Sequence, residues 1–182
     1  PTSQTVMIDL AQGTSNTPIS EPAHTIGETF TAPTTIPTRV GYTFAGWSIG
    51  STTFATGDSV TVGATNITLT AQWSVASYLI TYVLNGGSGS IPVPTSYNYG
   101  ATHTIAAGVT KANSNFIGWS NGSNTYSVGA SFTVTAQNET FTAQFSGAIY
   151  AISFNINAAD TGTTPATITG QVTDSFTLPT GS

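Results

Sequence analysis

The chain repeats itself with a long, fixed period. Trp47 closes the run GYTFAGW and Trp119 closes NFIGW, 72 positions later. SVTVGATNITLTAQW ends at Trp73 and SFTVTAQNETFTAQF at Phe145, again 72 apart, and Tyr78 and Tyr150 open the next segments at the same offset. Between Phe44–Trp73 and Phe116–Phe145 the register needs no gap. Such a period means one supersecondary unit used in tandem, which restricts the fold to an array of similar modules. Residues 1–75 make a first module, 76–147 a second, and 148–182 a third that is incomplete and expected to be completed by another module or chain. The opening segments align less tightly: Gly27 pairs with Gly100 at an offset of 73, so turns absorb the indels. The linkers SVAS (74–77) and SGAI (146–149) are short, which favours a stiff string.

Within each module the pattern is that of β-strands. YLITYVL, SVTVGATNITLTAQW, SFTVTAQNETFTAQF and YAISFNI alternate apolar and polar residues with period two. In TFTAQF, Phe141, Ala143 and Phe145 share one face and Thr140, Thr142 and Gln144 the other. Asn85-Gly86-Gly87, Gly57-Asp58 and Asn121-Gly122 supply turns. No long window carries a helical stripe; a short helix or 3₁₀ turn after Thr34 or Ala106 is compatible with the sequence but not required by it. The third segment offers YAISFNI as an opening strand and DSFTLP as a second. The fold class is therefore mainly β.

Charge narrows the partners. Only 5% of residues are charged, against about 25% in ordinary domains, and threonine fills about a fifth of the chain. The formal net charge is −5, with Arg39 and Lys111 as the two basic residues. No basic footprint for nucleic acid or anionic lipid follows from that inventory. Cysteine is absent, which removes disulfides and thiol chemistry. No apolar run approaches the length of a membrane span. No secretion signal opens the chain and LPTGS lacks the spacing of a wall anchor, so any leader is expected to be removed already or to lie outside it.

Joined together, ITYVLNGGSGSIP, the Tyr99-Gly100 turn, GYTFAGW and LTAQW resemble the Listeria–Bacteroides repeat, or internalin B-repeat, family. Copy one carries Arg39, Gly41, Tyr42, Phe44, Gly46, Trp47, Leu69, Ala71 and Trp73 of that pattern, but Ala11-Gln12-Gly13 where the family has Asn-Gly-Gly. Copy two carries Asn85, Gly86, Gly87, Tyr99, Gly100, Phe116, Gly118 and Trp119, with Ser114-Asn115 read in place of Gly-Tyr and Phe145 in place of the last Trp. The resemblance implies a tandem β-grasp-like module, with an immunoglobulin-like sandwich as the alternative. It also implies an extracellular, cell-surface location in a prokaryote, a role in stalks or interaction arrays, no enzymatic activity and no cofactor.

The residues themselves offer little chemistry. No two carboxylates lie close in sequence, and neither His24 nor His103 recurs in the other copy, so both read as solvated or hydrogen-bonded bystanders. Asp160-Thr-Gly reads as a turn rather than half a Ca²⁺ loop. Phe44, Trp47, Trp73, Phe116, Trp119 and Phe145 are read as the repeat core, with a sugar-stacking platform as the other reading of the tryptophans. Tyr97, Tyr82 and Phe54 are the aromatics outside those anchors that a binding surface would use. Asn66, Asn121 and Asn138 fit the N-glycan acceptor pattern, and Asn66 and Asn138 are repeat-equivalent. Lys111, the single lysine, is read as solvated and outside the repeat, rather than as half of an isopeptide bond. The expected function is a structural surface array, stalk or filament component that associates with neighbouring modules or with itself. The alternative is a module that binds surface glycans or host proteins.

Overall fold

The computed structural model describes residues 2–154, 164, 166–171 and 174–177. The chain forms two compact units: one comprises residues 1–79, 96–103 and 133–138, the other residues 80–95, 104–132 and 139–182. The described residues are strands, turns and loops, with no helix among them.

The first repeat contributes β1 (Ser3–Gln4), β2 (Val6–Asp9), β3 (His24–Thr25), β4 (Thr29–Thr31), β5 (Tyr42–Ile49), β6 (Thr52–Phe54), β7 (Ser59–Thr61) and β8 (Ile67–Val75). Its main sheet has the order β2-β8-β5-β6, and β4 pairs separately with β7. β2 runs parallel to β8, from Val6↔Ile67 to Asp9↔Thr70, and the other pairings are antiparallel. Alternation decides which face turns inward: Ile67, Leu69 and Ala71 of β8 are buried while Thr68 is exposed. These residues join Val6, Phe30, Ala32, Trp47, Val60 and Val62 in one core.

The second repeat contributes β9 (Ser77–Val83), β10 (Thr95–Asn98), β11 (Thr102–Thr104), β12 (Ser114–Ser120), β13 (Thr125–Tyr126), β14 (Ser131–Thr133) and β15 (Glu139–Gly147). Its sheet order is β10-β9-β15-β12-β13, and β11 pairs with β14. Apart from the added outer strand β10, this is the strand order of the first repeat, with β9 again parallel to β15. Its buried residues include Ile80, Tyr82, Ile105, Trp119, Phe132, Phe141 and Ala143.

The Gly-Trp motif has a geometric cause. The β5–β8 register slips between Phe44 and Gly46, and the β12–β15 register slips between Phe116 and Gly118. Each slip is a β-bulge, which re-aims the side chain that follows it. A Cβ on Gly46 would lie 2.7 Å from the Phe54 carbonyl oxygen, and one on Gly118 2.6 Å from that of Tyr126. Only glycine therefore fits, and the following indole is driven inward: Trp47 and Trp119 are both fully buried. Each buried indole N–H finds a loop carbonyl, Pro33 at 3.0 Å for Trp47 and Ala106 and Ala107 at 3.2 Å for Trp119.

The opening strand of each repeat ends in the same turn. Gly13 N–H donates to the Leu10 carbonyl, and Gly87 N–H to that of Leu84. Both central residues have positive φ: Ala11 and Gln12 at 48° and 70°, Asn85 and Gly86 at 51° and 77°. That is the type I′ pattern, for which Asn-Gly is the favoured pair and Ala-Gln is strained.

The register corrects two sequence alignments. Asn113, not Ser114, stands where the first repeat has Gly41: Ala76 N–H donates to the Gly41 carbonyl and Ala148 N–H to that of Asn113, both at an offset of 72. Asn113 adopts the left-handed conformation (φ 55°) that Gly41 adopts at 78°, and asparagine tolerates it better than most residues. Lys111 is likewise not outside the repeat. It matches Arg39, 72 positions earlier, and both cations hold the type I′ turn: Arg39 Nη2 donates to Gln12 Oε1 at 2.8 Å, and Lys111 Nζ to the Asn85 carbonyl at 3.4 Å.

The third segment begins as a hairpin of β16 (Ile149–Ile152) and β17 (Ile168–Gln171), paired antiparallel. The partner of the opening strand is thus Ile168–Gln171 rather than the run from Asp174, whose described residues 174–177 form no strand. Asp160 lies outside the described residues.

Candidate functional site

The six aromatic anchors split into two layers. Trp47 and Trp119 are sealed, whereas Phe44, Trp73, Phe116 and Phe145 are half-buried. In the first repeat the Phe44 ring meets Trp47 at 5.2 Å and Trp73 at 5.6 Å, both edge to face. In the second, Phe116 meets Trp119 at 5.5 Å and Phe145 at 5.8 Å in the same arrangement. The ring at 73 or 145 leans on Gly13 or Gly87, where a Cβ would collide with Trp73 Cζ2 or approach Phe145 Cζ to 2.8 Å. Trp73 adds a hydrogen bond that phenylalanine cannot make, from Nε1–H to the Leu10 carbonyl at 3.1 Å.

Half-buried aromatics line an open groove of about 560 Å³ in the first unit. Tyr42, Phe44, Trp73 and Tyr78 face it, with Arg39, Thr14, Thr38 and Thr43 among its polar members. The Arg39 guanidinium lies 3.9 Å from the centre of the Tyr42 ring, a cation–π contact that fixes both side chains. The groove combines flat aromatic faces and apolar Ile36, Pro37 and Val40 with one fixed cation and threonine hydroxyls.

The remaining sequence candidates resolve into packing roles. Tyr82 is buried, not an exposed binding aromatic: its ring sits 4.8 Å from Trp119 and 5.4 Å from Phe141, and its hydroxyl accepts the Ala106 N–H at 3.1 Å. Tyr97 and Phe54 are half-buried, against His103 and beside Trp47 on the paired strand. His103 is buried rather than solvated, and desolvation pushes its pKa below the ordinary 6.5. It stands one repeat after Phe30, as Tyr97 stands one repeat after His24. His24 stacks on Phe30 at 5.1 Å and Tyr97 meets His103 at 4.8 Å. One aromatic pair thus recurs with the imidazole moved from one partner to the other, which sequence comparison of the histidines alone conceals. His24 also has Glu21 and Glu28 carboxylate oxygens at 3.6 and 3.8 Å.

Asn66 and Asn138 are exposed, and each pins the start of an opening strand. Asn66 Oδ1 accepts the Thr5 N–H at 3.0 Å and Asn138 Oδ1 the Leu79 N–H at 2.8 Å. The side-chain oxygen, not the nitrogen that a glycan would occupy, makes these bonds. Asn121 is committed at both ends: Nδ2 donates to Glu139 Oε2 at 3.1 Å, and Oδ1 accepts the N–H groups of Ser123 and Asn124. Glu139, buried where the first repeat has Ile67, is thereby partnered. Lys111 is exposed, its Nζ 5.2 Å from the Phe145 ring centre, which does not suit a buried isopeptide bond. Among the described residues no three of His, Asp and Glu gather as metal ligands would, and no helix is long and apolar enough to cross a membrane.

A search of curated proteins finds no match. A solved structure of Streptococcal High Identity Repeats in Tandem (SHIRT) domains 3-4 from a cell surface protein is similar, at 14% identity and a TM-score of 0.24, over 81% of this chain and 100% of that one. The sequence pattern of the Listeria-Bacteroides repeat domain matches residues 5–72 and again 78–144. With the repeated bulge, turn and aromatic trio, those two matches place this chain in the Listeria-Bacteroides repeat domain family.

Proposed function

We propose that the chain is a non-enzymatic structural component of a prokaryotic cell-surface array, a stalk, adhesin-like string or filament in which tandem modules set distance. The observation that carries this reading is the division between shared and unshared residues. What the repeats share is spent on packing and turns: the Gly-Trp bulge, the aromatic trio, the asparagine clamps and the cation on the type I′ turn. Residues able to do acid–base work are not shared: Asp58 faces Ala130 in the alignment, Glu139 faces Ile67, and His103 faces Phe30. A repeated catalytic or metal site would show the opposite pattern. The test is to label intact cells of the source with antibody to this chain and to image the purified protein by electron microscopy. Surface labelling with extended or end-to-end particles is expected; labelling only after permeabilisation would sink the proposal.

A second reading is favoured by one feature, the groove faced by Tyr42, Phe44, Trp73 and Tyr78 beside Arg39. In that reading the module binds surface glycans through aromatic stacking. Titrating an oligosaccharide panel against Trp73 fluorescence, with Tyr78→Ala as the control, decides it: a response abolished in the variant supports binding, and silence across the panel removes it.

A further inference from the structure

Two motifs of the repeat, Gly-Tyr before the bulge and Tyr-Gly one module later, meet within the first unit. The Tyr99 ring lies directly on Gly41, where any Cβ would collide with Cγ, Cδ1 and Cε1 of the ring. The Tyr42 ring meets Tyr99 edge to face at 6.1 Å, and the Arg39 guanidinium lies 3.9 Å from the Tyr42 ring centre. Two main-chain bonds clamp the same spot: Ala76 N–H donates to the Gly41 carbonyl at 2.9 Å, and Tyr99 N–H to the Ala76 carbonyl at 2.8 Å. The connecting residue Ala76 is thus held on both sides, and Tyr99 caps it.

We propose that Gly41-Tyr42 is a seat and Tyr99-Gly100 its plug, a matched pair through which the first unit captures the turn that follows β10 of the next repeat. The occupant the seat fits is an aromatic at the turn after the second strand of a repeat of this kind. Glycine suits 41 both for its φ of 78° and because the plug ring occupies the space of a side chain, and an aromatic at 42 supplies the edge contact. The second repeat tests the pairing within the same chain. Its seat position reads Asn113-Ser114, without the glycine or the aromatic, and neither Gln171 nor Val172, 72 and 73 positions after Tyr99, is an aromatic. There the main-chain bond from Ala148 to Asn113 persists, but Asn113 Oδ1 accepts from the Tyr150 hydroxyl at 3.2 Å. In sequence seat and plug change together, while the main-chain bond from Ala148 to Asn113 is kept.

The inference deepens the spacer reading and depends on it only for biological use. It is measured on the purified full chain, so a failed seat leaves surface display standing and a failed display leaves the seat standing. The readout is hydrogen exchange at the Ala76 amide, which the seat holds. Tyr99→Ala should lose protection there, while Tyr99→Phe, which keeps the ring, should not. Retained Ala76 protection in Tyr99→Ala, with native tryptophan fluorescence, overturns the proposal, as does a loss in Tyr99→Phe as large as in the alanine variant. Should Tyr99→Ala fail to fold, Tyr99→Leu, which fills space without a ring, decides: lost protection at Ala76 supports the seat, and retained protection overturns it.

Discussion

The two repeats keep the same geometry at nearly every matched position while exchanging the chemistry that fills it. The type I′ turn is built from Asn85-Gly86 in one copy and Ala11-Gln12 in the other, with φ values that differ by only a few degrees. Phe145 replaces Trp73 on the same glycine, and the histidine of one stacked pair moves to the opposite partner in the other. Backbone conformation and ring contact are what the repeat conserves internally. Local strain and hydrogen bonds are what drift, because each costs about 1–2 kcal/mol and a module of this size tolerates that much.

The sharpest way to break the equivalence is at the sealed indoles. Trp47→Ala and Trp119→Ala should each destabilise by about 3–5 kcal/mol in denaturant unfolding, the usual cost of emptying an aromatic core site. If one variant lost stability and the other did not, the two cores would not share a design. An intermediate effect of opposite sign is expected at the strained turn. Ala11→Asn combined with Gln12→Gly gives the first repeat the turn of the second and should raise its stability by about 1–2 kcal/mol, less what is lost with the Arg39 bond to Gln12. A fall in midpoint would mean that the Arg39 bond outweighs the backbone strain.

Asn66→Ala and Asn138→Ala should each cost about 1 kcal/mol by stranding the Thr5 or Leu79 amide, and Asp at either site should restore most of it because the acceptor remains. Equal loss in the alanine and aspartate variants would remove the clamp from the account. The smallest effect is the pH dependence of the second repeat. The folded pKa of His103 lies below 6.5, so the unfolded chain binds more protons just below that pH, and stability rises with pH there. Stability is full above about 6.5 and is lost as pH falls below it. His103→Phe, which installs the residue of the first repeat, should flatten the melting temperature between neutral and mildly acidic pH; an unaltered slope would assign it to other groups.

How much of this was legible in the sequence follows the same division. The 72-residue period and the alternation in SFTVTAQNETFTAQF locate the closing strands, and glycine before tryptophan marks the sealed indole without revealing that a bulge causes it. Tyr82 was readable in principle, since it lies on the apolar face with Ile80 and falls at the place of Ile8, but a tyrosine invites a surface reading until its hydroxyl is seen to accept from Ala106. The roles of Asn113 and Lys111 needed the ladder register, because a one- or two-residue slip in a polar loop leaves no trace in hydrophobic pattern. The aromatic groove could not be read at all. Its faces come from residues distant in sequence, and half-burial is a property of packing rather than of composition.

The parallel pairing of β2 with β8, and of β9 with β15, governs how a module responds when its ends are pulled. The chain enters β2 at its amino end and leaves β8 at its carboxyl end, so tension drags the two neighbours past each other along their length. The pairs from Val6↔Ile67 to Asp9↔Thr70 are then loaded in shear, all at once, rather than peeled one after another as in a hairpin opened from its free end. The second repeat presents the same ladder, Ile80↔Glu139 to Val83↔Thr142, to the same force. Rupture of either module under such a load therefore requires the ladder to fail together rather than pair by pair.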